Sequence, residues 1–246
     1  MKVAAIVQAR MGSTRLPGKV LLPVLGKPLL QIELERIGRS QRIDRIIVAT
    51  TRQPEDERII QFCRSIGVEC FRGSENDVLT RYYEAAHYAQ ADVIVRLTAD
   101  CPLLDPQIID DVISSYFSAM PACDYCSNTL VRSYPRGLDT EVFSFAALQR
   151  AYEQAESPAE REHVTPFIVN RPERFRLIPV LGSQDFSHHR WTVDTVDDYR
   201  LVRQIIERLY PANPLFTMSD VTGLLELESS WPAINAHVEQ KSVERD

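Results

Sequence analysis

The sequence predicts an α/β fold built on a Rossmann-like, mostly parallel sheet, and three features predict it. Short apolar runs alternate with helix-like stretches through the first half of the chain, which is the pattern of crossover units on a parallel sheet. The first run empties directly into a loop punctuated by Gly and Pro and rich in cations. Each later run also ends in a polar segment, at the edge where open α/β sheets place their ligands.

Taken in order, VAAIV at 3–7 is wholly apolar and reads as a buried first strand. A helix follows over about 28–39, apolar at Leu29, Leu30, Ile32, Leu34 and Ile37. RIIVAT at 45–50 is the second strand and 54–66 its helix. VECF at 68–71 is a short third strand, 77–89 a helix, and DVIVRLT at 92–98 a fourth strand. After about Cys123 the regularity breaks into DYCSN and YPRGLDTEVF, with helical stretches in AALQRAYEQA and over 160–169. This region, about 123–185, is expected to form an inserted α+β lobe for acceptor binding or dimerisation, with sheet order resuming at FRLIPV and RWTVD. Val221, Leu224, Leu225 and Leu227 have helical spacing and predict a C-terminal helical tail over about 215–240, packed back on one domain spanning 1–246.

A 44% apolar, 25% charged composition is that of an ordinary globular chain and argues against long disorder. The net charge of -6 gives no general basic field, so nucleic acid is not an expected partner. No apolar run reaches the roughly 18 residues of a membrane helix, and MKVAAIVQAR lacks the apolar core of a signal peptide. No membrane insertion and a cytoplasmic location are therefore expected. Five cysteines fit reduced thiols better than a disulfide framework, and the single CxxC of Cys123 and Cys126 reads as two half-buried thiols rather than a zinc site.

The segment ARMGSTRLPGK, 9–19, concentrates Arg10, Arg15 and Lys19 with Gly12, Ser13, Thr14 and Gly18. Glycines let backbone approach phosphate oxygens, successive N–H groups form anion nests, and Arg and Lys add positive charge, so the natural reading is a triphosphate cradle rather than a solvated basic loop. It is not a P-loop, because five residues separate Gly12 from Gly18 and Val20 stands where Ser or Thr would hold magnesium. No GxGxxG is present, which disfavours a dinucleotide site.

In RLTADCPLLDP, Asp100 follows the fourth strand and can face the same crevice, whereas Asp105 before Pro106 fits a helix cap. In RWTVDTVDDYRLV, Asp194 is expected to end a strand, Thr195 to open a helix, and Asp197 and Asp198 to complement its dipole. His188 and His189 read as solvated loop residues.

ARMGSTRLPGK, TADCPL and the VDT of TVDTVDD resemble the cytidylyltransferase family that includes CMP-Kdo and acylneuraminate synthetases. REHVTP, YPRGLDTEVF and NAHVEQK most resemble its spore-coat polysaccharide biosynthesis F branch. The resemblance spans nearly the whole chain and implies a sheet of the nucleotide-diphospho-sugar transferase type. It implies a nucleotide loop of Ala9, Arg10, Gly12, Ser13, Arg15 and Lys19 around CTP, with Gly73, Ser74 and Arg81 of FRGSENDVLTR beside the base. It further implies Asp100 and Asp194 as magnesium ligands, a homodimer, and CTP with a sugar-like small molecule as the partners.

The expected reaction is attack of an acceptor oxygen on the α-phosphorus of CTP, with Arg10, Lys19 and Asp100 as the catalytic groups and pyrophosphate leaving in line. Candidates for acceptor binding in the irregular region are Asn128, Arg136, Asp139, Glu141 and His163; each has a lobe-stabilising role as its alternative. The competing enzyme class is a nucleotide-sugar-dependent glycosyltransferase of the GT-A type, which usually carries a DxD motif where this chain has LTADCP.

Overall fold

A computed structural model describes residues 1–240. Strand β1 (Val3–Gln8) lies in the interior of the sheet because its first five residues are apolar on both faces. After it come a two-strand hairpin, β2 (Pro23–Val24) and β3 (Lys27–Pro28), and helix α1 (Leu29–Ile37). Three further units follow: β4 (Arg45–Thr51) with α2 (Glu57–Ser65), β5 (Glu69–Gly73) with α3 (Val78–Ala89), and β6 (Val93–Thr98) with α4 (Pro106–Ser118). The less regular region supplies β7 (Tyr125–Ser127), β8 (Glu141–Ser144), α5 (Phe145–Gln154), α6 (Pro158–His163), α7 (Pro166–Val169) and β9 (Leu177–Pro179). Helices α8 (Val196–Leu209) and α9 (Met218–Leu227) complete the described elements, with a 3-10 turn at Trp231–Ile234.

The sheet order is β5-β4-β1-β6-β8-β7-β9. β5, β4, β1 and β6 are mutually parallel; β8 is antiparallel to both neighbours, and β9 runs parallel to β7. The chain leaves β1 toward β4 and β5, then returns to place β6 on β1's other side, so a crevice opens at the carboxyl ends of β1 and β6. Segment 123–185 supplies three strands to this same sheet.

Strand alternation divides the core. Val3, Ala5 and Val7 face a cluster containing Leu34, Ile59, Ile109 and Tyr116 from α1, α2 and α4. Ala4 and Ile6 face Leu79, Tyr82, Leu148 and Phe167 from α3, α5 and α7. A third cluster joins Leu29 and Ile32, on the other side of α1, to Trp191, Ile205, Ile206, Val221 and Leu225, and this is how the C-terminal helices pack back on the domain.

Two expectations need correction. RWTVD forms no strand; its neighbourhood makes a single bridge, Arg136 with Arg190. The Val193 N–H donates instead to the Asp100 carbonyl at 2.8 Å, and Trp191 N–H to the Arg136 carbonyl, so the segment is sewn to loops. The helix expected over 160–169 is broken into α6 and α7 by a turn at Val164, because Pro166 has no N–H to continue it and restricts the residue before it.

Candidate active site

The loop after β1 is fastened at its start by Asp56, which is buried and accepts the Met11 N–H at 2.6 Å. Ser13 and Gly18 N–H groups both donate to the Met11 carbonyl, folding the loop on itself. Gly18 has φ +70°, a left-handed conformation that glycine adopts without a Cβ penalty, and it opens a 3-10 turn at Lys19–Leu21. That turn buries Lys19 and aims its ammonium across the crevice.

Lys19 Nζ donates to Asp100 Oδ2 at 2.6 Å and to Asp194 Oδ1 at 2.8 Å. Two carboxylates 94 positions apart in sequence therefore converge on one cation. Burial works to lower the Lys19 pKa, but Asp100 and Asp194 outweigh it and raise it. Burial likewise works to raise that of Asp194, and Lys19, Arg15 and Arg190 outweigh it and hold it down.

Asp100 is held mostly through its backbone. It lies two residues past Thr98, the last paired residue of β6, and the next N–H, that of Cys101, donates to Glu33 Oε2 at 3.1 Å. Burial first, then the charge of Asp100, pushes the Glu33 carboxyl well above its ordinary range. Thr98 Oγ1 donates to Asp100 Oδ1 at 2.7 Å.

Asp194 is held by side chains. Its Oδ2 accepts from Arg15 at 3.0 Å and Arg190 at 2.8 Å. Asp198, fully buried, accepts from the N–H groups of Asp194 and Thr195, from Arg190 Nε and Nη2, and from Asn235 Nδ2. Asp198 thus does more than complement a helix dipole. Gln240 accepts from Arg190 Nη1 at 2.6 Å, bringing the C-terminal segment into the support.

These groups line a crevice of about 280 Å³ formed by Gln8, Arg10, Ser13, Lys19, Asp100 and Asp194, together with Thr14, Arg15, Thr98 and Glu162. A second crevice of about 450 Å³ is lined by Ala9, Glu75, Asn76, Arg81, Arg96, Arg161 and His163 among others, and shares Gln8, Arg10 and Glu162 with the first. Gly73 packs under the aliphatic stem of Arg81. Ser74 is spent on local structure: its carbonyl accepts from Arg81 and its hydroxyl from Asp77 N–H. Arg81 and Arg96 each keep a buried Nε–H with no partner among the described residues. Gly12 is exposed on the first loop.

The acceptor candidates do not gather in one place. Only His163 lines either crevice. Asn128 spends its amide on the Leu138 carbonyl and Thr140 N–H. Asp139 is in a bidentate pair with Arg132. Glu141 is buried and accepts from Arg96, Tyr125 and Thr165. Arg136 lines a separate cavity of about 380 Å³ with His188, His189 and Arg190. Gly137, at φ +104°, lets the chain there pass so close that a Cβ would lie 2.6 Å from Thr192 N. His189 is not a solvated loop residue: it is half-buried against Trp191, with ring centroids 5.5 Å apart, and burial, then His188, lowers its pKa to about 4.

Asp105 caps α4, accepting Gln107 N–H at 2.9 Å. Cys123 and Cys126 are buried free thiols, and the described residues contain no cluster of three or more His, Cys, Asp or Glu able to hold a metal. No helix among them is long and apolar enough to cross a membrane. Sequence reasoning missed Gln8, Glu33, Arg96, Glu162 and Arg190, whose polar character inside strands, helices and a turn was the available signal.

Residues 4–227 match the cytidylyltransferase family model. The chain is 33% identical to a cytidylyltransferase from Leptospira borgpetersenii serovar Hardjo-bovis of solved structure, covering 98% of this chain and 99% of that one with a TM-score of 0.91. It is 34% identical over 210 residues to the spore coat polysaccharide biosynthesis protein SpsF of Bacillus subtilis, covering 82% of this chain and 85% of that one. A CMP:2-keto-3-deoxy-manno-octonic acid synthetase solved in complex with CTP shares the fold, with a TM-score of 0.66 at 20% identity over 85% of this chain and 99% of that one. With the family model spanning most of its length, and a crevice that sets paired carboxylates against a cationic loop, this chain belongs to the cytidylyltransferase family.

Proposed function

We propose that this cytidylyltransferase moves CMP from CTP to a sugar-like acceptor, an acidic or phosphorylated sugar, releasing pyrophosphate, with magnesium held by Asp100 and Asp194. The observation that carries the reading is the Lys19 ammonium within hydrogen-bond distance of both carboxylates. It is a stand-in cation: the pair already converges on a single positive charge, and two carboxylates completed by substrate phosphates are a common magnesium donor set. Magnesium bound there would neutralise phosphate charge and make the α-phosphorus more open to attack.

The chain's own part is positioning and charge. Arg10, Arg15 and Lys19 face the crevice from the first loop and would hold the triphosphate, with Lys19 and Arg10 stabilising charge as pyrophosphate leaves. Lys19 must loosen from the carboxylates to do so. Arg190 and Asp198 keep Asp194 in place meanwhile. A phosphate-bearing acceptor needs no base, whereas a sugar hydroxyl must lose its proton. A cytoplasmic homodimer serving surface polysaccharide assembly fits this chemistry and the likeness to SpsF.

The test is pyrophosphate release from CTP with magnesium and a panel of sugar acids and phosphorylated sugars. Release that depends on acceptor and metal is the expected result. Transfer of sugar from a nucleotide-sugar, without pyrophosphate, would replace the reading with the glycosyltransferase one.

A further inference from the structure

The two crevices meet at three side chains, Gln8, Arg10 and Glu162. A nucleoside triphosphate with its phosphates beside Lys19 and its base beside Arg81 places its ribose at that junction. The junction side chains differ in what they offer. Arg10 is a cation suited to phosphate. Gln8 has its amide oxygen taken by Arg96 Nη2 at 3.2 Å, leaving its NH2 as a donor. Glu162 is an acceptor only, and the groups a ribose presents at its edge are two hydroxyl donors.

Glu162 sits on a segment held by its neighbours. On α6, Glu160 accepts from Arg171 at 2.6 Å, and Arg161 is anchored to Asp77 at 2.7 and 3.1 Å and to the Tyr152 carbonyl at 2.8 Å. Glu162, next in sequence after them, is exposed and makes no hydrogen bond or ion pair among the described residues. The helix ends at Val164, a fully buried β-branched residue at φ 73°, ψ -56°, and the Thr165 N–H donates to the His163 carbonyl at 2.9 Å. That is a γ-turn of the rare, strained kind, a conformation kept only where surrounding contacts enforce it.

The enforcing contacts lead back to the junction. Thr165 Oγ1 donates to Glu141 Oε1 at 2.8 Å, Glu141 pairs with Arg96, and Arg96 donates to Gln8. A chain of hydrogen bonds, buried at Thr165 and Glu141 and part-buried at Arg96 and Gln8, therefore ties the turn that ends Glu162's helix to the opposite wall of the junction.

We infer that Glu162 recognises the ribose of the nucleotide, accepting hydrogen bonds from its 2′- and 3′-hydroxyls, and so selects ribo- over deoxyribonucleotides. The inference rests on the nucleotide reading of the site given above. Of the carboxylates lining the two crevices, Asp100 and Asp194 are engaged by Lys19 and Glu75 accepts from Gln53, and the inference gives a task to Glu162, which has no partner among the described residues. It also assigns the strained turn a purpose, which is to hold the end of Glu162's helix against the junction that Gln8 lines from the other side.

The experiment is calorimetric titration of CTP, 2′-deoxy-CTP and 3′-deoxy-CTP, with magnesium and no acceptor, into the wild type, Glu162→Ala and Glu162→Gln. A hydrogen bond to a charged group sets the scale, so the wild type is expected to bind CTP roughly tenfold to a hundredfold more tightly than at least one deoxynucleotide. Glu162→Ala should lose that preference while binding the deoxynucleotide about as well as the wild type does. Glu162→Gln, which keeps one carbonyl acceptor, should retain part of it. An Ala variant that weakens all three ligands equally, or that keeps the CTP preference, overturns the inference, as does a wild type that binds the three alike. A wild type that binds none of them overturns the nucleotide reading itself, and the ribose inference with it.

Discussion

Asp100 and Asp194 meet at one ammonium, yet the molecule holds them by opposite means. Asp100 lies two residues past the end of β6, whose six residues pair with all six of β1 and whose ladder is extended by Ala99 N–H donating to the Gln8 carbonyl. The N–H of the next residue, Cys101, is caught by Glu33. Asp194 lies on a stretch with no ladder, fixed by Arg190, Asp198, Asn235 and Gln240. A carboxylate at the end of a sheet strand inherits its position from many shared main-chain bonds. One held by a buried ionic network depends on each member, because removing a partner strands the rest without solvation. One half of the cation site should therefore tolerate perturbation of its supports and the other should not.

The sharpest break of that comparison is Asp198→Ala, which leaves five N–H donor contacts without their acceptor. Loss of one partner from a buried charged pair costs about 3–5 kcal/mol, measurable by urea unfolding. Thr98→Val on the Asp100 side removes the hydrogen bond to Asp100 and a weaker one with Cys101 Sγ, and should cost about 1 kcal/mol. Equal losses would erase the distinction.

Lys19 joins the two halves, so Lys19→Met separates their common charge from their separate supports. Turnover should fall about 10²- to 10³-fold, as for removal of one stabiliser of developing charge. Without nucleotide, the variant should bind Mn2+ more tightly than the wild type, since the ammonium no longer occupies the carboxylates; paramagnetic resonance of free Mn2+ reads this directly. Unchanged metal binding would mean that Lys19 and a metal use different oxygens.

A smaller effect sharpens the comparison on the Asp194 side, where His189 packs on Trp191 just before Arg190. Its folded pKa, about 4, lies below the ordinary value of 6.5, so the unfolded chain binds more protons between these limits. Stability should rise with pH over that window and fall as pH drops through it, by about 1–2 kcal/mol after discounting for the half-exposed ring. His189→Gln should flatten this slope in pH-dependent thermal unfolding. The Lys19–Asp194 contribution moves at other limits. It is lost as pH falls below the ordinary carboxylate range, because the Asp194 pKa is depressed, and as pH rises through the raised Lys19 value.

The same division explains what the sequence disclosed. Strands β1, β4 and β6 were legible because they are covered on both faces and read as apolar runs, and the loop after β1 because its cations and glycines are adjacent in sequence. RWTVD was misread as a strand because Trp191 and Val193 alternate with polar residues like strand positions; Trp191 and Val193 are buried against α8 and α9 while the backbone bonds to loops. Glu141 and Asn128 looked like ligand-binding groups because polar residues in an irregular region advertise chemistry, and nothing local tells that Arg96 and the Leu138 carbonyl already engage them. Glu162 was hidden inside a helix whose neighbours are also charged, and only the meeting of two crevices sets it apart.

The central claim is that Asp100 and Asp194 act as one cation site, and Mn2+ affinity of the CTP complex tests it most directly. Groups acting together on one ligand are strongly non-additive. Asp100→Asn and Asp194→Asn should each weaken Mn2+ binding severely, and the double variant should bind little worse than the weaker single one. Losses that multiply in the double variant would show two independent sites and contradict the account.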